Sequence, residues 1–248
     1  ALVHQPADVL KDEFNGEATA SKLARVREQM ENEDAQYHII STLDDIAWIL
    51  NVRGNDIPHV PVVLSFLVIG KEDAMWFVEE NALSDAVKEM AAECGITIRP
   101  YEDVYAYAAT IPEHSTVLLD KRKVNYRITK ALSETVHIVS KANPSQLMKA
   151  IKNEIELENT RKAHLLDGIA VTKFMYWLKK NVGKIPMDEV SVSDYLQSLR
   201  EQMEGYRDIS FDTIAGYNAN AAMMHYKAEP DTAAKLEPQG MLLVDSGG

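Results

Sequence analysis

Between Ala35 and Ser140, short apolar runs and amphipathic stretches take turns, and this alternation constrains the fold more than any other feature of the sequence. "AQYHIIS" reads as a strand and "DDIAWILN" as a helical turn or two. "PVVLSFLVIG" and "DAMWFVE" read as paired strands around the Gly70-Lys71-Glu72 turn. "ENALSDAVKEMAAECG" is a helix closed by Gly95, whose missing side chain suits a left-handed C-cap. "ITIRPY", "TVLLD" and "VHIVS" continue as strands, with "VYAYAAT" and "NYRITKALSE" as the helices between them. Strands and helices traded in this way predict an α/β domain that ends near Asn143-Pro144.

On either side the texture differs. Residues 1–18 contain Pro6, Gly16 and scattered charges without a sustained period, and read as a linker from an upstream domain. "SKLARVREQMEN" then begins the helical pattern, with Thr19 or Ser21 as its cap. After Pro144, residues 145–182 hold no proline and only Gly168, predicting one long helical region. Its apolar face is Leu166, Ile169, Ala170, Phe174, Trp177 and Leu178. "MDEVSVSDYLQSLREQMEG" supplies a second amphipathic helix, followed by turn-rich residues 216–220 and the apolar strand "GMLLVD". The expected division is a linker over 1–18, a first domain over 19–147 and a second over 148–248.

Composition excludes several classes. With 46% hydrophobic and 26% charged residues the chain has the makeup of a globular protein, and no apolar run approaches a membrane span. Acidic residues outnumber Lys plus Arg by 38 to 26, so the basic surface of a nucleic-acid binder is not evident. Cys94, the single cysteine, permits no internal disulfide and reads as a small buried thiol at a helix end. A cytoplasmic protein is the simplest expectation.

The tail "MLLVDSGG" poses the chemical question. Asp-Ser-Gly-Gly surrounds the nucleophile of one class of serine proteases, but those need a histidine base held by an acid. Here Val244 replaces the glycine expected before the motif, and the surroundings are α/β. No Cys-x-x-Cys, His-x-x-x-His or His-Glu-x-x-His occurs, so no local zinc site is legible. His164 and Asp167 lie three apart and can meet on one helix face, usually as surface decoration. "NVRGNDIPHVP" reads as a surface loop from which Arg53 or His59 could reach a neighbouring site. "NAAMMHY" brings an apolar approach to His225, whose imidazole could sit at a strand end and contact substrate or move a proton.

Taken in order, these segments resemble the Xaa-Pro aminopeptidases of the creatinase, prolidase and methionine-aminopeptidase superfamily. "LDDIAWILNVRGNDIPHVPVVLSFLVI" looks like the creatinase-type N-terminal domain, and "NPSQLMKAIKNEIELENTRKAHLLDGIAV" like its junction with the catalytic domain. "DISFDTIAGYNANAAMMHY" and "LLVDSGG" match successive catalytic-domain motifs. The resemblance implies a mixed sheet flanked by helices, then part of a pita-bread α+β domain. It implies a site with two divalent metals, commonly manganese, whose activated water cleaves the bond before a proline. By resemblance Asp245 is the first metal-binding aspartate and His225 the histidine that contacts substrate. Ser246 is then a ligand's neighbour.

The family pattern also calls for a second aspartate, a histidine and two glutamates further on, positions this sequence does not contain. The expectation is therefore a fragment that alone holds no metal pair and hydrolyses no Xaa-Pro peptide. Its final strand would show an unpaired edge and exposed apolar surface. In the intact enzyme Xaa-Pro peptides are the expected substrates and a homodimer the expected assembly. The alternatives are a non-catalytic, peptidase-like binding module, or a hydrolase of the prolidase or creatinase type.

Overall fold

The computed structural model describes residues 6–248, and the chain divides into two compact units, Ala1–Leu157 and Glu158–Gly248. The first opens with β1 (Asp8–Val9), α1 (Asp12–Asn15) and α2 (Thr19–Asn32). β2 (Tyr37–Ile40), α3 (Leu43–Leu50), β3 (Val52–Arg53), β4 (Ser65–Gly70) and β5 (Ala74–Val78) follow. Next come α4 (Asp85–Glu93), β6 (Ile96–Arg99), α5 (Val104–Ala108), β7 (Thr116–Leu119), α6 (Tyr126–Ala131), β8 (His137–Ser140) and α7 (Pro144–Ala150).

Six strands form one mixed sheet in the order β6-β5-β4-β2-β7-β8. The hairpin of β4 and β5 and the β2–β4 pair are antiparallel, while β5–β6, β2–β7 and β7–β8 are parallel. Because strand side chains alternate between faces, adjacent residues enter different cores. Leu67, Ile69, Trp76 and Leu118 meet Leu23, Val26, Ile49 and Val87 on the face covered by α2, α3 and α4. Phe66, Val68, Phe77 and Val117 meet Val104, Ala108 and Ile128 on the face covered by α5 and α6. Both faces being covered explains why β4 is buried along its whole length. Gly95 has φ 68, the left-handed C-cap expected of it after α4.

Several local readings differ from the structure. Residues 6–18 are bonded into the first unit: β1 pairs antiparallel with β3, the Ala7 amide donates to Ala82 O at 2.7 Å, and Asn15 is buried. Residues 1–5 of the stretch read as a linker lie outside the described residues. Thr19 does not cap α2; its hydroxyl turns inward and donates to Leu50 O at 3.0 Å. The long helical region after Pro144 is broken. α7 stops at Ala150 because Ile151 is extended, and Asn153 caps a new helix, α8 (Glu154–Asn181). Asn153 Oδ1 accepts from the Glu156 amide at 2.9 Å while Glu156 Oε2 accepts from the Asn153 amide at 2.9 Å. That reciprocal box satisfies two amides that would otherwise lack partners at the start of α8.

The second unit contains most of α8, then α9 (Glu189–Glu201), β9 (Ile214–Tyr217) and β10 (Leu242–Asp245). Its core gathers Ala170 and Phe174 of α8 with Val192, Leu196 and Leu199 of α9 and Ala215 of β9. Trp177 stacks on Tyr195 with ring centroids 3.8 Å apart. β9 and β10 pair antiparallel as a two-stranded sheet. Gly216 and Tyr217, within the stretch 216–220 read as turn-rich, thus end the strand Ile214–Tyr217; the turning begins at Asn218, whose φ of 50 opens a short 3-10 segment.

Candidate active site

α9 begins on Asp188, whose side chain accepts from the Ser191 amide at 2.7 Å while Ser191 Oγ accepts from the Asp188 amide at 2.9 Å. Glu189 therefore enters the helix facing inward and is fully buried. Its Oε1 accepts from the Tyr217 amide at 2.6 Å and from Asn220 Nδ2 at 3.0 Å. Its Oε2 accepts from Tyr226 Oη at 2.6 Å and the Ala234 amide at 2.8 Å. Burial by itself pushes this carboxyl up, but the bonds from Tyr226, Tyr217, Ala234 and Asn220 outweigh it and hold the pKa below the usual value. The same bond to Glu189 is the main reason the Tyr226 phenol is pushed up to about 12.

At the other end of α9, Arg200 is also buried. Its Nε donates to Asp167 Oδ1 at 2.6 Å and its Nη2 to Asp167 Oδ2 at 3.2 Å, a two-point clasp onto α8. Nη2 also donates to Ser246 Oγ at 3.1 Å. Nη1 is buried and has no hydrogen-bond partner among the described residues. Asp167, paired in sequence reading with His164, is taken by Arg200 instead. His164 stays exposed on α8.

Asp245 is the last residue of β10 and is exposed, with its Cα opposite Ile214. The Ser246 hydroxyl faces Arg200, not a histidine, which removes the geometric basis for a serine nucleophile. Beyond it Gly247 O accepts from the Ser210 amide at 3.0 Å, and a side chain at Gly247 would require the Ser210 hydroxyl to rotate away.

His225 lies outside β9, in the loop between β9 and β10, exposed and with φ 53. The strand cannot reach it because the chain turns at Asn218. The methionines before it are not a buried approach either: Met224 is 91% exposed. In the first unit, Arg53 is half-buried on β3 and its Nη1 donates to Ala47 O at 2.9 Å and Val52 O at 3.1 Å. Burial pulls its pKa down. His59, with φ 64, follows Pro58 in a turn closed by the Val60 amide on Ile57 O at 3.1 Å. Pro then a left-handed residue is the pattern of a type II turn.

No group of three or more His, Cys, Asp or Glu able to hold a metal ion forms among the described residues. Asp245, an exposed carboxylate at a strand end, fits one ligand position for a hard cation. The described residues alone do not make up a two-metal ligand set. Glu189 and Arg200, the buried charges behind Asp245 and His225, are the residues sequence reading missed. Arg200 sits at helical spacing from Val192 and Leu196 on the apolar stripe of α9, and a charge in that position was the available signal.

The first unit is an α/β unit with a six-stranded mixed sheet, and the second pairs helices with a strand that ends in an exposed aspartate. Residues 1–156 match the Creatinase/Prolidase N-terminal domain and residues 158–248 match metallopeptidase family M24. The chain belongs to the creatinase/prolidase family, and its curated relatives are named Xaa-Pro aminopeptidases. It is 34% identical over 254 residues to a probable Xaa-Pro aminopeptidase P of Neurospora crassa, covering 98% of this chain and 37% of that protein. It is 37% identical over 245 residues to Xaa-Pro aminopeptidase 1 of Dictyostelium discoideum, covering 96% and 38%. Among solved structures, the X-prolyl aminopeptidase of Caenorhabditis elegans, described as a cytosolic enzyme with a di-nuclear active site, matches with a TM-score of 0.92 at 28% identity. That match covers 99% of this chain and 41% of the other. The chain spans about two fifths of the length of the curated relatives it matches.

No helix among the described residues is long and apolar enough to cross a membrane.

Proposed function

We propose that this chain serves a metal-dependent aminopeptidase that removes the residue preceding an N-terminal proline. Because the chain spans about two fifths of its relatives, the reading concerns a protein that carries it at their length. The observation that carries it is the continuous likeness, over 99% of the chain, to an X-prolyl aminopeptidase of known structure. Asp245 is the metal-ligating carboxylate contributed from this chain, and His225 the imidazole that contacts substrate beside the reacting bond. Arg53 and His59 are proposed as further substrate-contacting groups. Two divalent ions, manganese by resemblance to the family, would supply an activated water and Lewis acidity when bound. The protein is read as a cytoplasmic homodimer acting on Xaa-Pro peptides, with neither nucleic acid nor a membrane as partner. The Caenorhabditis relative supports the compartment and the net charge of -12 the exclusion of nucleic acid.

The decisive assay uses the relatives'-length protein with manganese. It compares Xaa-Pro peptides of three or more residues with Xaa-Pro dipeptides, Xaa-Ala peptides and creatine. Release of the first residue from the longer Xaa-Pro peptides, lost on chelation and in Asp245→Ala, is the expected result. His225→Ala is expected to lower kcat by roughly a hundredfold. Metal-independent release, or equal rates on Xaa-Ala, would overturn the reading.

A further inference from the structure

Helix α9 carries two fully buried charges, Glu189 in its first turn and Arg200 in its last. They lie about three turns apart on the same side, roughly 16 Å along the axis. A buried charge is costly unless its partners are fixed in place, and a well-packed apolar residue would often be cheaper. What each charge holds is therefore informative.

Glu189 holds the His225 loop on both sides. It binds the Tyr217 amide and Asn220 before the histidine, and Tyr226 Oη and the Ala234 amide after it. His225 itself has φ 53, a left-handed conformation that is costly for a residue other than glycine and persists where the surrounding structure holds it. The next residue, Tyr226, is the one whose hydroxyl donates to Glu189. Arg200, clasped to Asp167, holds Ser246, the residue after Asp245.

We infer that α9 is the positioning element of the candidate site: Glu189 sets the loop that presents His225, and Arg200 sets the strand end that presents Asp245. One rigid helix thereby fixes both groups. Neither Glu189 nor Arg200 is a catalytic residue; each acts through the residue it holds. The inference rests on the assignment of Asp245 and His225 proposed above.

The test begins with NMR of this chain with labelled histidine, the His225 signal being identified by its loss in His225→Gln. Tyr226→Phe removes one bond to Glu189 and keeps the ring. Glu189→Gln replaces one acceptor oxygen by an amide that meets donors, so a backbone amide at Tyr217 or Ala234 loses its partner. Both variants are expected to shift and broaden the His225 ring signal while His114 and His137 stay unmoved. Ser246→Ala is expected to shift the backbone amides of 244–247 without moving His225. In the relatives'-length protein Tyr226→Phe lowers kcat for an Xaa-Pro peptide roughly tenfold while KM changes less than about twofold. If Glu189→Gln does not fold, Tyr226→Phe decides. An unmoved His225 signal, or equal changes at all histidines, overturns the positioning role. A relatives'-length protein inactive on every Xaa-Pro peptide would refute the functional reading alone, because the NMR experiment still decides whether α9 places His225.

Discussion

The strands "SFLVIG" of β4 and "LLVD" of β10 are similarly apolar, yet every residue of the first is buried while Leu243 and Val244 of the second are 42% and 36% exposed. The six-stranded sheet has helices on both faces; among the described residues, β10 has one strand partner. What separates them is cover, not composition. The units also use charge differently. The first buries Lys22, whose ammonium donates to Trp48 O at 2.9 Å and Asn51 Oδ1 at 2.6 Å and lies 4.3 Å from the Trp48 ring centroid. Burial, the largest effect on it, lowers its pKa to about 8. That cation joins two helices of one core. The second unit places its buried charges behind the candidate site.

The comparison can be broken most directly in the first core. Trp76→Ala, at a side chain 1% exposed, is expected to cost about 3–5 kcal/mol by urea unfolding. A loss below about 1 kcal/mol would mean that this sheet is no better packed than the smaller one.

A second prediction uses acid. His38 is fully buried on β2 with Nδ1 2.9 Å from Leu118 O, and burial, the leading cause, lowers its pKa from 6.5 to about 4. The unfolded chain thus binds the proton more readily, so stability rises with pH between those values and is lost as pH falls from 6.5 toward 4. The loss reaches up to roughly 3 kcal/mol and should vanish in a folded His38→Gln variant. Glu189, whose pKa is held down, contributes stability that is present above its unfolded value and lost as pH falls through its lowered folded value. Near pH 5, hydrogen exchange should therefore accelerate in β2 before it does around β9. The opposite order would show that acid acts first on the second unit.

The smallest effect sharpens the contrast at the exposed sheet. Leu243→Thr is expected to change the stability of this chain by no more than about 0.5 kcal/mol, since its side chain is not in a packed core. A cost of several times that would show that the outer surface of β10 is covered in solution.

Period and turn chemistry made the first sheet readable: apolar runs of strand length, Gly70 at the hairpin and Gly95 after α4 are local signals that the packing kept. The break between α7 and α8 was less legible because neither residue that makes it, Asn153 or Glu156, disturbs helical periodicity. Thr19 misled for a related reason, since a hydroxyl suited to a cap was drawn to a carbonyl across the core. In the second unit, local sequence drew attention to His225, but the paired roles of Asp245 and His225 came from resemblance to a family, not from spacing. Glu189 and Arg200 were hidden because charged residues on an amphipathic helix usually face water, and only their tertiary partners show that these do not.

The pairing of β9 with β10 has a consequence for how this region can vary. Side chains alternate along a strand, so a slip of one residue would turn Asp245 to the opposite face. Four paired positions prevent it, and so does Asn218, whose amide donates to Met241 O at 2.9 Å and whose Oδ1 accepts from the Met241 amide at 3.0 Å. This double latch closes the neck of the loop, so the register that sets the heading of Asp245 is fixed at the neck, apart from the contacts that Glu189 makes farther along the loop.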